Sequence, residues 1–295
     1  MVNLRGIFPP ITTPFVGGKV AYDHLSKNVE KWAQTGIAGF AVLGSNGEYV
    51  FLSEDEKKRV LETVVASSPE GKAIIAGTGC ESTLETQRLT AECAKLGANA
   101  ALVVNPHYFA GGVSQRALIE HYTRIADDSP IPLLLYNVPK FTHINLAPGL
   151  VAELSAHPNI IGIKDSSGSV GLLGEYINSS DREFQVLAGT ASVLLGALAL
   201  GCPGGILALA NIAPEACVEI LQLVKAGRYE EARSIQLRMI PVNKAVTETY
   251  GISGLKSALD MLGYFGGDPR LPLLPSTEEE KEMIRGILKR AMLLS

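Results

Sequence analysis

The chain has 295 residues, of which 46% are hydrophobic and 19% charged. That is enough apolar material to bury a large core, which excludes a disordered or solvating chain. Its 26 Lys and Arg against 30 Asp and Glu leave a net charge of −4. With no basic cluster, there is no electrostatic reason to expect nucleic acid or an anionic membrane as partner.

The 30 Gly and 16 Pro have no period, which excludes collagen-like and low-complexity readings. No apolar run reaches the roughly 18 residues of a membrane span. Met1–Pro10 leads directly into a predicted strand without a charged-then-apolar leader, so a cytoplasmic protein is expected. Cys80, Cys93, Cys202 and Cys217 form no Cys-x-x-Cys pair and read as buried or part-buried thiols in a reduced compartment.

Eight short apolar runs follow one another along the chain. They are Gly6–Thr13, Ile37–Gly44, Ala73–Thr78, Ala100–Asn105, Pro132–Asn137, Ile160–Lys164, Phe184–Gly189 and Gly204–Ala210. They lack polar alternation, as parallel strands buried on both faces do. The stretches between them read as helices, with Leu89, Cys93 and Leu96 on one face, and Leu118, Tyr122, Ile125 and Ala126 on another. Ser53-x-x-Glu56, Ser82-x-x-Glu85 and Ser276-x-x-Glu279 have the spacing of capping boxes. Gly36, Gly97 and Gly201 stand where helices should stop.

Eight strand–helix units without an internal linker predict an α/β fold, a (β/α)8 TIM barrel over residues 1–226. Residues 227–295 read as a C-terminal helical extension packed on it, with Ile284, Ile287, Leu288 and Ala291 on one helix face. An open doubly wound sheet would want a Gly-rich phosphate loop after the first strand. Thr12-Thr13-Pro14-Phe15 stands there instead.

In such a barrel the chemistry lies at the C-terminal strand ends. The polar residues there are Thr12 and Thr13; Ser45, Asn46 and Glu48; Thr78; Asn105, His107 and Tyr108; Tyr136 and Asn137; Lys164, Asp165 and Ser166; Gly189 and Thr190; and Asn211. Lys164 ends the buried run Ile160–Ile163. An amine there must pair with a carboxylate or be driven toward the neutral form, which can attack a carbonyl. The purely structural alternative is a salt-bridged barrel lysine, but alternation sends Asp165 to the opposite face. Tyr136, at the same height on the neighbouring strand, is a candidate proton shuttle or a core tyrosine with its hydroxyl at the rim. The turn Gly44-Ser45-Asn46-Gly47-Glu48 can bind a carboxylate through a hydroxyl and backbone N–H groups, or be an ordinary polar turn. His24, His107, His121, His143 and His157 lack paired ligand spacing, and no metal and no cofactor are expected.

Four ordered motifs together carry a family resemblance over nearly the whole chain. They are Pro9-Pro10-Ile11-Thr12-Thr13-Pro14-Phe15, Gly44-Ser45-Asn46-Gly47-Glu48, Tyr136-Asn137-Val138-Pro139 and Gly162-Ile163-Lys164-Asp165-Ser166. The sequence resembles the class I pyruvate-dependent aldolases of the dihydrodipicolinate synthase and N-acetylneuraminate lyase superfamily. The resemblance implies a carbon–carbon lyase with Lys164 as Schiff-base lysine and Tyr136 as proton relay. It further implies that Ser45 links Tyr136 to Tyr108 of a neighbouring subunit, that Ser45 and Asn46 hold the pyruvate carboxylate, and that Gly189 and Ile206 line the site. A homotetramer built as a dimer of dimers is implied as well.

Within the superfamily, dihydrodipicolinate synthases usually carry Arg two residues after the Pro of Tyr-Asn-Val-Pro. Here that position is Phe141. Gly44–Glu48, Gly77–Thr83 and Lys164–Gly168 look more like 4-hydroxy-2-oxoglutarate aldolases, in which the residue at Ser166 contacts substrate. His107 before Tyr108, and Phe141 and His143 in the substrate-side loop, depart from the familiar pattern. The expected reaction is cleavage of 4-hydroxy-2-oxoglutarate to pyruvate and glyoxylate. The alternatives are condensation of pyruvate with aspartate semialdehyde to 4-hydroxy-tetrahydrodipicolinate, a 2-keto-3-deoxy sugar acid aldolase, a lyase for a larger aldehyde beside Phe141, and a non-catalytic 2-oxo-acid binding protein.

Overall fold

The computed structural model describes residues 2–294. Eight parallel strands form one sheet: β1 (Gly6–Phe8), β2 (Gly39–Val42), β3 (Ala73–Gly77), β4 (Ala100–Val104), β5 (Leu133–Asn137), β6 (Ile160–Asp165), β7 (Gln185–Ala188) and β8 (Gly204–Ile206). From β2 onward each pairs with the next, and β8 pairs with β1. The Ala38 and Ala41 N–H groups donate to the Ile7 and Pro9 carbonyls at 2.9 and 3.0 Å, joining β1 to β2. The result is the expected (β/α)8 barrel. β1 is shorter than the apolar run Gly6–Thr13 because Pro9 and Pro10 have no N–H to give the ladder.

Two cores lie on either side of the sheet. Phe8, Leu102, Leu134, Tyr136, Ile161, Leu187 and Ile206 fill the barrel interior. Ile7, Phe40, Val103, Leu135 and Ile163 face outward to the helices. A register shift between β5 and β6 near Leu133 breaks the alternation once, so Ile161 points inward and so does Lys164, three residues on.

The helices α1 (Tyr22–Ala33), α2 (Glu54–Ser67), α3 (Thr83–Lys95), α4 (Gln115–Asp128), α5 (Pro148–Ser155), α6 (Val170–Ser179), α7 (Leu194–Ala199) and α8 (Pro214–Lys225) follow the strands in turn. The predicted stripe on α4 is buried throughout: Leu118, Tyr122, Ile125 and Ala126. Ser53 caps α2 in a full capping box with Glu56. At the C-terminal helix the box sits one residue later than expected, Thr277 with Glu280, while Ser276 is buried before it. Gly97 and Gly201 end their helices at φ 101° and 102°. Gly36 instead lets α8 approach, since a Cβ there would meet Val218 at 3.0 Å.

The last quarter of the chain is helical: α9 (Tyr229–Lys244), a π turn (Ala245–Thr249), α10 (Gly251–Met261) and α11 (Glu278–Arg290). Its polar side chains reach the loops at the barrel mouth. Gln236 donates to the Ala191 carbonyl at 2.8 Å, and Asn243 to the Ser192 hydroxyl at 2.8 Å, both in the loop after β7. Lys140, in the loop after β5, donates to the Thr247 carbonyl at 2.7 Å. Among the described residues no helix is long and apolar enough to cross a membrane.

Candidate active site

Tyr136 and Lys164 stand opposite each other in the β5–β6 register, as do Asn137 and Asp165. Alternation turns the first pair into the barrel and the second outward. Lys164 is 4% and Tyr136 6% exposed. The Lys164 Nζ lies 4.1 Å from the centroid of the Tyr136 ring. Among the described residues no carboxylate pairs with Lys164; the buried or half-buried ion pairs near the mouth are Lys256 with Glu48 and Arg270 with Glu56. The neighbouring acid is committed elsewhere. Asp165 accepts from Asn137 Nδ2 at 2.6 Å and from the Ser167 hydroxyl at 2.6 Å. Burial pushes the Asp165 carboxyl up, and those hydrogen bonds pull against it.

Burial alone would raise the Tyr136 phenol. The charge of Lys164 and the hydrogen-bonding groups of Ser45, Lys164 and Ser166 outweigh it and hold the phenol below its ordinary 10.0. An amine, a phenol and two hydroxyls thus meet at one point in the barrel. A group set of this kind can form an imine with a carbonyl and move a proton beside it.

Ser45–Gly47 forms a single 3-10 turn after β2. The Gly47 and Glu48 N–H groups close it on the Gly44 and Ser45 carbonyls at 3.0 and 3.1 Å. The Thr13 hydroxyl holds it from β1 by donating to the Gly47 carbonyl at 2.7 Å. Ser45 and Asn46 are half-buried, and Asn46 Nδ2 is a buried donor without a partner. Buried donors rarely stay unpaired, so an acceptor oxygen fits beside it.

Gly189 and Ile206 lie where the sequence puts them. The Gly189 N–H donates to the Asp165 carbonyl at 2.7 Å. A Cβ on Gly189 would sit 2.2 Å from Ser166 Oγ, so only glycine lets β7 close on the Ser166 hydroxyl. Ile206 is fully buried in the same interior core as Tyr136. Tyr108 does not join this cluster within its own chain. It is 79% exposed. Its ring meets Phe109 edge-on at 5.0 Å, and its backbone N–H and that of His107 donate to Glu81 at 2.9 and 3.0 Å. Phe141 is half-exposed, and His143 takes the left-handed conformation at φ 56°.

The sequence reasoning placed Glu48 among the strand-end acids. The structure takes it out of the site and onto Lys256. The sequence marks Lys256 only as a lone cation inside Gly254-Leu255-Lys256-Ser257-Ala258-Leu259, an otherwise uncharged helical stretch, and gives no sign of its pairing with Glu48. Tyr49, not singled out from the sequence, stands near Tyr136, and burial first and then Tyr136 push its phenol up. Among the described residues no three or more of His, Cys, Asp and Glu are grouped so that they could hold a metal ion.

The model of the dihydrodipicolinate synthetase family matches residues 3–291. The chain belongs to this family. It is a pyruvate-dependent carbon–carbon lyase, as the four motifs led one to expect. It is 39% identical, over 97% of its length and 96% of the relative's, to a 4-hydroxy-tetrahydrodipicolinate synthase of Methanothrix thermoacetophila. Among solved structures it resembles dihydrodipicolinate synthase from Thermotoga maritima, with TM-score 0.94, 29% identity and coverage of 98% and 99% of the two chains. It also resembles YagE, a prophage protein of the dihydrodipicolinic acid synthase family from E. coli K12 in complex with pyruvate, with TM-score 0.93, 28% identity and coverage of 99% and 100%. The subfamily expectation needs correcting: these relatives carry the synthase or synthase-family name, not that of 4-hydroxy-2-oxoglutarate aldolase.

Proposed function

We propose that the chain condenses pyruvate with aspartate semialdehyde through a Schiff base on Lys164. The observation that carries the mechanism is the Lys164 amine 4.1 Å over the Tyr136 ring, with no carboxylate to pair it among the described residues. Lys164 attacks the 2-oxo carbon of pyruvate and water leaves, giving an imine. Loss of a methyl proton gives the enamine, whose carbon bonds to the aldehyde carbon of the acceptor. Tyr136 delivers a proton to the aldehyde oxygen as the bond forms. Ser45 and Asn46 hold the pyruvate carboxylate, with the unpaired Asn46 Nδ2 as one donor. Ser166, a hydrogen-bonding neighbour of the Tyr136 phenol, contacts the acceptor side, and Gly189 and Ile206 line the pocket.

The choice of acceptor rests on the name shared by the relatives. A second reading keeps one specific observation: Phe141, half-exposed, stands where the resemblance leads one to expect an arginine. Under that reading the same machinery runs in reverse on 4-hydroxy-2-oxoglutarate and releases pyruvate and glyoxylate. We further propose that exposed Tyr108 completes the relay of a second copy in a homotetramer of two tight dimers, which explains why its ring is turned outward from its own site.

The deciding experiment measures pyruvate consumption with aspartate semialdehyde against pyruvate release from 4-hydroxy-2-oxoglutarate and from 2-keto-3-deoxy sugar acids. The proposal expects the highest kcat/KM for the condensation. A higher kcat/KM for 4-hydroxy-2-oxoglutarate selects the second reading. No turnover with any of them overturns both readings and points to a lyase for another, larger aldehyde beside Phe141.

A further inference from the structure

The turn that holds Ser45 and Asn46 is bracketed by two left-handed residues that are not glycine, Leu43 at φ 59° and Glu48 at φ 54°. Such a conformation persists only where the surroundings over-determine it. At Glu48 the surroundings come from the C-terminal helices. Its Oε1 lies 2.6 Å from Lys256 Nζ, and both side chains are essentially inaccessible to solvent. Its Oε2 accepts the Arg270 N–H at 2.8 Å. Lys256 also donates to the Asp268 carbonyl at 3.0 Å and lies 4.4 Å over the Phe15 ring.

Arg270 extends the same network. Its guanidinium lies 4.4 Å over the Phe15 ring and grips both oxygens of Glu56 at 2.7 Å. It also donates to the Phe51 and Gly18 carbonyls at 2.7 and 2.8 Å. Gly266 and Gly267 let this segment come close enough. A Cβ on Gly266 would stand 2.1 Å from the Lys256 carbonyl, and one on Gly267 2.6 Å from the Phe15 carbonyl. A buried ion pair is often no more stabilising than an apolar pair of the same size. What this one does is fix geometry. With both Glu48 oxygens occupied, neither is free for substrate, so Glu48 acts through the turn.

We propose that Glu48 and Lys256 are positioning residues by which the C-terminal helices set the Ser45–Gly47 turn for the carboxylate of a 2-oxo acid. This rests on the reading that Ser45 and Asn46 bind that carboxylate. The pair therefore governs how tightly pyruvate is held, while the imine chemistry at Lys164 proceeds once pyruvate is bound.

The test compares Glu48→Gln/Lys256→Met, which leaves no lone buried charge, with Glu48→Asp, which keeps both charges but shortens the strut by one methylene. Ser45→Ala serves as reference, with pyruvate KM, kcat and melting temperature measured for each. The double variant is expected to fold with KM raised about tenfold and kcat changed far less, the signature of lost binding rather than lost chemistry. Glu48→Asp is expected to raise KM several-fold with the melting temperature nearly kept. A folded double variant with wild-type KM, while Ser45→Ala raises it, overturns the positioning role and leaves the carboxylate reading intact. Wild-type KM in Ser45→Ala overturns that reading and this proposal with it. Failure of both Glu48 variants to fold makes the pair a determinant of the fold alone and overturns the proposal as well.

Discussion

Lys164 at the end of β6 and Lys256 in the middle of α10 are both hidden from water and both lie over an aromatic ring, yet their polar partners differ. Lys256 meets a carboxylate at 2.6 Å, a carbonyl at 3.0 Å and an aromatic face. Lys164 meets the ring of a phenol whose other partners are Ser45 and Ser166, with no carboxylate paired to it among the described residues. Burial pushes the Lys256 ammonium down first, and Glu48 pulls it back up. Burial therefore does not make a lysine a nucleophile; the groups that share its pocket do. A carboxylate-paired ammonium is tied down as a strut, whereas the Lys164 Nζ, beside a phenol and with no carboxylate paired to it among the described residues, is left open to a carbonyl carbon.

Exchanging each lysine for methionine should separate the two roles most widely. Lys164→Met should lower turnover by about 10⁴-fold or more, as loss of a covalent nucleophile does, with no loss of thermal stability. Lys256→Met should leave Glu48 buried and unpaired and cost about 3–5 kcal/mol in denaturant unfolding. Equal stability losses, or turnover surviving in Lys164→Met, would remove the distinction.

Tyr136→Phe comes next. It keeps the ring under Lys164 and removes only the hydroxyl, so a loss of about 10²–10⁴-fold in kcat is expected, the range of a general acid–base. A loss under tenfold would make Tyr136 a core residue whose hydroxyl merely reaches the rim.

A pH series sharpens the same point. The Tyr136 phenol is held below 10.0 by Lys164, Ser45 and Ser166 against the opposing effect of burial. A proton-donating phenol is lost as pH rises through that lowered value, so kcat should fall on an alkaline limb below pH 10. Ser45→Ala and Ser166→Ala remove groups that favour the phenolate, so each should move the limb to higher pH. A limb that stays put in both variants would detach those hydroxyls from the phenol.

The Arg270–Glu56 pair gives the smallest effect, because both side chains keep some contact with water. The Arg270 hydrogen bond holds Glu56 below its ordinary 4.5, with burial opposing. For a carboxylate lowered on folding, the stability gain is present above the unfolded value and is lost as pH falls through the folded one. Glu56→Gln should therefore cost roughly 1 kcal/mol near neutral pH and little in acid below the folded value. A cost that stays the same in acid would trace the effect to packing.

The barrel and its chemistry were legible because their signals are local. Apolar runs ending in Lys164, Tyr136 and Ser45 mark strands whose last inward residue is polar, and strand pairing then brings those residues to one height. The Glu48–Lys256 pair was not legible, because it joins positions 208 apart through a contact that no period encodes. In sequence Glu48 is a strand-end acid like any other, and only its pairing with Lys256 takes it out of the site. The role the resemblance gives Tyr108 lies in a neighbouring chain, and in its own chain the residue is exposed and packs edge-on with Phe109. The capping box at Thr277 rather than Ser276 illustrates a smaller ambiguity. Ser-Thr followed by three glutamates satisfies the spacing in two registers, and packing before α11 selects one.

Reductive trapping addresses the contrast between the two lysines directly. Borohydride added with pyruvate, followed by peptide mass analysis, reads which amine forms an imine. Lys164 should gain one reduced pyruvyl group, and Lys256 none. Modification of any other lysine in place of Lys164, or no modification while turnover is present, would contradict the assignment of Lys164 as the nucleophile.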